Sequence, residues 1–394
     1  SSYFVDPIAS LAPMSSDDEG SVAEYNDRPA IIIDNGSGVC KAGLSTATAP
    51  TNIFPTMVGR PRSKYKGKMS KEIYFGDQLE EKVGKLSLTT PMENGVIENF
   101  SEMQHLWDYT FESLGVEPRA HSLLLTEPPY NPRPNREKVV EMMFETYQVP
   151  SLNISIQGVL ALLGQGRTTG LVLDSGEGVT YTMPIFDGFG FNPNIKRLDL
   201  AGRDLNILMA KLLAQAGTSM TTTLEQHHVR RMKEKCCYCA LDPKKERAQS
   251  VTYKLPDKRK IVLEDERWRC PEALFSPGMA GLESQGVSSL VWETISNCDM
   301  DVRRNLLSNV VLSGGSTEFP GFAERLTKEL KEKAPSAAQA NVKVLAKDQK
   351  FAVWIGGQVF ASFRGIQDEQ WMTMEDYEEN GAGFIHQKIA VKFS

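Results

Sequence analysis

The strongest constraint on this chain is a pattern that occurs twice: an apolar strand, an aspartate, a small residue, then glycines. The first copy is Ile31-Ile32-Ile33-Asp34-Asn35-Gly36-Ser37-Gly38 and the second is Leu171-Val172-Leu173-Asp174-Ser175-Gly176-Glu177-Gly178. Consecutive β-branched residues read as a buried strand, and Asn35-Gly36 is a strong two-residue hairpin signal. Gly36 and Gly38 let backbone N–H groups close on an oxyanion, and Asp34 at the strand end can hold a hydrated magnesium shared with phosphates. One copy alone reads equally as a tight turn. Two copies are what a duplicated unit with phosphates between its halves would leave behind. Competing phosphate motifs fit worse: no GxxxxGK[ST] occurs, and Lys41 stands where a dinucleotide fingerprint needs its third glycine. A lysine there suits phosphate better than a close helix contact.

At 394 residues the chain exceeds one ordinary core and predicts two domains. A net charge of −6 argues against nonspecific nucleic-acid binding. No apolar run approaches the roughly 20 residues of a membrane helix. With no leader-like opening either, the sequence reads as soluble and intracellular. The six cysteines, Cys40, Cys236, Cys237, Cys239, Cys270 and Cys298, show no disulfide spacing. His227 and His228 beside the cysteine cluster admit a zinc site, but Val229 to Leu241 reads better as a single amphipathic helix whose thiols act as small hydrophobes.

Along the chain, residues 1–28 carry an acidic knot at Asp17-Asp18-Glu19 and predict a flexible tail. Arg60, Arg62, Lys64, Lys66, Lys68 and Lys71 follow one another with no acid between them, either as a solvated loop or as a docking site for an acidic partner. Met103, Leu106, Trp107, Thr110 and Phe111 mark a helix, Ser122 to Pro128 a short buried strand, and Ile154 to Leu163 an apolar helix interrupted by Gln157. That amide is either a satisfied core group or one aimed at the clamp to orient a water on a terminal phosphate. The second half runs strand, hairpin and strand through Phe191, and a basic, strand-like excursion later reaches Glu266. Asn309 to Ser316 is a third strand-to-glycine turn, where Gly314-Gly315 is a plain turn or bare backbone for a flat ring. Phe322, Leu326 and Leu330 share a helix face, and Val353 to Gly357 returns an apolar segment to the core. Alternating strands and helices in two repeated halves predict an α/β fold with a cleft between them.

With these segments in hand, the chain from about residue 29 onward resembles the actin family. Gly59-Arg60-Pro61-Arg62, Leu124-Leu125-Thr126-Glu127, Met143-Phe144-Glu145-Thr146, Gly166-Arg167-Thr168-Thr169-Gly170, Leu198 to Asp204, Arg269 to Phe275 and Leu312-Ser313-Gly314-Gly315 stand in that family's order. The resemblance implies the actin/hexokinase/Hsp70-type fold, two related α/β domains around a nucleotide cleft holding ATP or ADP with Mg2+ or Ca2+. It implies a first domain of residues 29–55, 91–164 and 351–394 with an inserted subdomain at 56–90. A second domain takes residues 165–200 and 283–350, with an insertion at 201–282. Asp34 and Asp174 would flank the cation's waters, and Gln157 would position the attacking water. Ser37, Gly38, Lys41, Ser175 and Gly176 would grip phosphates, and Glu177 and Gly178 would also be cofactor-binding. Arg230, Lys233, Glu234, Gly314, Gly315, Phe319 and Lys350 would line the nucleoside.

Some residues depart from the family pattern. The family usually has Asp where Glu177 stands, His where Tyr181 stands and a modified His where Asn94 stands. A phenol with a reference pKa near 10 cannot carry a proton at neutral pH as imidazole does, so ATP hydrolysis is expected to be slow or absent. Ser63 to Ile73 is short and basic where the family has an apolar tip, and Ser276 to Gly281 lacks the aromatic bulk of the family's plug. Ile366 to Trp371 and the terminus Ile389 to Ser394 are also altered. The resemblance implies a cytoskeletal, cytoplasmic filament subunit. The changed surfaces point instead to a non-polymerising subunit of a motor, axonemal or chromatin assembly, in a cilium or the nucleus. Expected partners are other actin-family subunits, and actin-binding or scaffold proteins at a cleft of residues 163–168 and 363–371, without direct nucleic-acid or membrane contact. A sugar kinase on this fold would need a separate acidic base beside a sugar-sized pocket, and none is evident.

Overall fold

The computed structural model describes residues 28–190, 192–363 and 367–389. The tail over residues 1–27, Phe191, residues 364–366 and the ending from residue 390 lie outside the described residues.

Two six-stranded sheets organise the chain. The first has the order Met372–Thr373, Ser151–Ile156, Leu123–Glu127, Ile31–Asn35, Val39–Leu44, Asn52–Pro55. The second runs Phe189–Gly190, Thr180–Phe186, Gly170–Ser175, Val310–Ser313, Val344–Leu345, with Lys196–Leu198 also paired to Thr180–Phe186. The repeated strands occupy equivalent places. Ile31–Asn35 turns back antiparallel onto Val39–Leu44, with Asp34 opposite Lys41, and lies parallel to Leu123–Glu127. Likewise Gly170–Ser175 turns back onto Thr180–Phe186, with Asp174 opposite Tyr181, and lies parallel to Val310–Ser313.

Both strands read as unbroken apolar runs because both of their faces are covered. Ile31 and Ile33 enter a core with Met103, Leu106, Trp107 and Phe111, which occupy the helix Phe100–Leu114. Leu171 and Leu173 enter a separate core with Phe322, Leu326 and Leu330 of the helix Phe322–Lys333. Ile32 and Val172, pointing the other way, share a third core with Leu160, Val353 and Trp354. This middle layer consists of two helices, Gln157–Gly164 and Ala352–Ser362, between the sheets. Their crossing is backbone on backbone: a Cβ on Gly356 would lie 1.8 Å from the Leu160 carbonyl oxygen, and one on Gly164 would lie 2.6 Å from that of Ala352. Trp354 anchors the second helix by donating from Nε1 to the Ile32 carbonyl at 3.2 Å. No helix of the described residues is long and apolar enough to cross a membrane.

Two local expectations are corrected. Ile154 to Leu163 is not one helix: a strand ends at Ile156 and Gln157 is the first helical residue, so its amide sits at a junction beside the cleft. The helix expected over Val229 to Leu241 is Thr223–Cys236, opened by a capping box of Thr222 and Glu225; at Cys237 the backbone becomes extended. Val353 to Gly357 returns to the core as part of a helix. All six cysteines are buried free thiols. Burial pushes the Cys40 thiol up to about 12 and helps hold Cys237 and Cys239 well above their ordinary range, so they are inert side chains of the core.

Candidate nucleotide site

The two repeated turns meet across a cleft of about 210 Å³. Their approach is close, since a Cβ on Gly38 would fall 2.6 Å from Cβ of Glu177 and one on Gly178 3.1 Å from the Ser37 hydroxyl. Ser37 is itself fixed by the Gly95 N–H, which donates to Oγ at 2.8 Å. Each strand delivers its aspartate to the cleft floor. Lys41, in cross-strand register with Asp34, donates from Nζ to Asp34 Oδ2 at 2.7 Å. Thr126 donates to Asp34 Oδ1 at 2.7 Å, and Gln157 Nε2 approaches the same oxygen at 3.3 Å. Across the cleft, Ser313 donates to Asp174 Oδ2, while Asp174 Oδ1 has no protein partner among the described residues.

The electrostatics follow from this packing. Burial pushes the Asp174 carboxyl up to about 6, against the pull of the Ser313 hydrogen bond and the Lys41 charge. Burial alone would lower the Lys41 pKa, but the charge and hydrogen bond of Asp34, with help from Asp174, outweigh it and keep the ammonium protonated. Two carboxylates and one cation thus leave a net negative floor, and the donor set fits a hydrated divalent cation. Asp34 already accepts from three protein donors, which suits a cation held through water, whereas Asp174 keeps Oδ1 for a water or an ion.

Of the residues expected to contact nucleotide, Ser37, Gly38, Lys41, Gly176, Glu177, Gly178, Arg230, Lys233, Glu234, Gly314, Gly315, Phe319 and Lys350 all line this cleft, as do Asp34, Gln157 and Asp174. Ser175 does not: it is fully buried, its hydroxyl sharing a 2.7 Å hydrogen bond with Thr180. Lys233 donates from Nζ to the Gly202 carbonyl at 2.8 Å, and its burial draws the ammonium below its usual range despite Glu177. Arg230 pairs with Glu234 at 2.9 Å. Gly314 has φ +86°, and a Cβ there would strike the Ser175 carbonyl oxygen at 2.3 Å, whereas one on Gly315 would meet nothing within 4 Å. Sequence reasoning missed Thr126, Ser313 and Glu318. Two hydroxyls near strand ends and a lone acid after the 3-10 turn Gly315–Thr317 carry no pattern of their own, although Thr126 and Ser313 lie at the ends of the two strands parallel to the repeated ones.

Such a cleft between matched strands of two sheets defines proteins of the actin/hexokinase/Hsp70 type. The family model for actin matches residues 25–390, and the chain belongs to the actin family. Members of the family generally bind a nucleotide with a divalent cation and associate with other family subunits or binding proteins.

A titration follows from the raised Asp174 pKa. The native protein holds this proton more tightly than the unfolded chain, so the group's contribution to stability falls as pH rises from about 4 to about 6 and is constant above. The difference at neutral pH is on the order of 3 kcal/mol. Asp174→Asn removes the titration. Urea unfolding in EDTA should show the variant gaining on the wild type across that window, and parallel pH curves would contradict the assignment.

Proposed function

We propose that this chain is an ATP-binding cytoskeletal subunit that assembles into filaments and hydrolyses ATP slowly, its nucleotide state setting the angle between two domains divided as the family resemblance implies. The observation that carries the reading is the matched pair of strand-end aspartates bridged by Lys41 on the floor of a glycine-walled cleft. In the proposed complex, Ser37, Gly38, Gly176 and Gly178 hold the phosphates, and Lys41 neutralises them. Arg230, Lys233 and Glu234 with Gly314, Gly315, Phe319 and Lys350 enclose the nucleoside. A divalent cation, when bound, neutralises phosphate charge and polarises the terminal phosphoryl group. Gln157 spends its N–H2 on Asp34 and Thr126, leaving Oε1 to accept from the attacking water.

Proton removal from that water is the weak step. Tyr181 lies opposite Asp174, its hydroxyl is buried without a partner among the described residues, and burial together with the Asp174 and Asp34 charges holds its pKa well above 10. It stays a neutral phenol and cannot accept the proton. Restoring imidazole with Tyr181→His should raise single-turnover phosphate release by about 10-fold or more. Tyr181→Phe should leave release unchanged. A rate insensitive to Tyr181→His would place the limit elsewhere.

A second reading, a subunit that does not polymerise alone, draws on the segment after Pro61. Arg60 pairs with Glu102, and Arg62 donates to the Leu86 carbonyl and Thr223, but Lys64, Lys66, Lys68 and Lys71 are exposed without ion-pair partners among the described residues. Burying these ammonium groups against a neighbour's apolar pocket would carry a desolvation cost. High-speed pelleting in Mg-ATP with electron microscopy and phosphate release on one sample decides between them. Filaments with release support the first reading. A nucleotide-loaded monomer that neither pellets nor releases phosphate supports the second.

A further inference from the structure

A second pocket, of about 700 Å³, lies between the helix Thr223–Cys236 and the hairpin of strands Val251–Lys254 and Lys260–Leu263. It shares only Glu234 with the nucleotide cleft. Four cations converge on it: Arg231 and Lys235 from the helix, Lys254 and Lys258 from the hairpin. All four are exposed and none has an ion-pair partner among the described residues. The acids nearby are engaged elsewhere. Glu234 is held by Arg230 at 2.9 Å, and Asp257 and Glu225 are both drawn to Arg259, at 2.6 and 3.5 Å.

This arrangement works against the stability of the isolated protein in several independent ways. Lys254 stands directly opposite Lys260 in the antiparallel register, a like-charge pair that weakens a hairpin. Lys258 closes the turn at φ +70°, a left-handed conformation that glycine adopts freely and lysine does not. His228, only 8% exposed, lines the pocket with Nδ1 buried and unpartnered. Local penalties concentrated at one place, with no internal compensation, mark a site whose missing term is a ligand.

We propose that this pocket binds a multiply phosphorylated anion, supplied either as a soluble small molecule or as a lipid headgroup. Converging ammonium and guanidinium groups on flexible stems match several phosphates at once. An acidic peptide fits less well, because beyond Pro256 the exposed residues of the turn from Pro256 to Lys260 are all polar. The proposal does not depend on the function assigned to the nucleotide cleft.

The test uses the full chain saturated with Mg-ATP, so that the cleft is occupied, and titrates inositol hexakisphosphate by calorimetry at physiological salt. One site per chain is expected, weakened about 10-fold or more by the double substitution Lys254→Ala with Lys258→Ala and unchanged by Lys64→Ala with Lys66→Ala. Lys258→Gly is the most telling single change: relief of the turn should raise Tm by about 2 °C while affinity falls about 3-fold, a combination that misfolding does not produce. Cosedimentation with vesicles containing a phosphatidylinositol bisphosphate separates the sources. Vesicle binding lost in the double variant assigns a headgroup, and binding of the soluble probe alone assigns a small molecule. Absence of both, or equal weakening by the two double variants, overturns the proposal.

Discussion

Gly356→Ala should destabilise the protein by about 4 kcal/mol, more than a typical overpacked core site. The added methyl would sit 1.8 Å from the oxygen, 2.4 Å from the carbonyl carbon and 2.9 Å from Cα of Leu160. These are backbone atoms of a helix fixed between two sheets, so no rotamer change relieves the clash. With roughly 5–15 kcal/mol of total stability in a native protein, the loss takes a large share, and Tm should drop by about 5 °C. Gly357→Ala is the control. Its new carbon would meet only side-chain atoms, the nearest being Cγ2 of Ile32 at 3.0 Å, and alanine gains helix propensity. Thermal unfolding of both variants decides: equal and small shifts would show that the two helices are not in backbone contact.

Lys41→Met should lower nucleotide affinity by about 100-fold or more, close to 3 kcal/mol. Methionine keeps most of the side-chain volume and removes the charge that Asp34 and Asp174 share. Asp34 is 1% exposed and Asp174 9%, so both would be left as buried carboxylates without a counter-ion. Triphosphate would then approach a floor bearing only negative charge. Titration with a fluorescent ATP analogue measures the loss, and circular dichroism shows whether the fold survives. A folded variant binding within threefold of wild type would mean that the phosphates do not lie against Lys41.

The two clamp strands were legible because everything they need is local: an apolar run, an aspartate and a glycine turn within eight residues, repeated. The helix faces of Met103 to Phe111 and Phe322 to Leu330 were legible through their period. The junction at Gln157 was not, because Ile154 to Leu163 contains no proline or turn pair to separate strand from helix, and short apolar runs look alike in either. The end of the helix at Cys236 was hidden for a similar reason, with no residue before Pro243 forbidding another turn. What was wholly illegible depends on distant segments meeting. Gly356 needs to be glycine because of Leu160, and Lys258 gains its significance from a pocket wall at His228 and Arg231.

The middle layer has an evolutionary consequence. Ile32 and Val172 belong to different sheets but to one core, so a change of volume at either position is felt by both halves of the duplication. Neither half can drift alone at that seam, and a viable change there needs a matching one across it. The segments carrying the unpaired lysines are under no such joint obligation. A chain built this way can exchange the partners it meets while its interior stays nearly frozen.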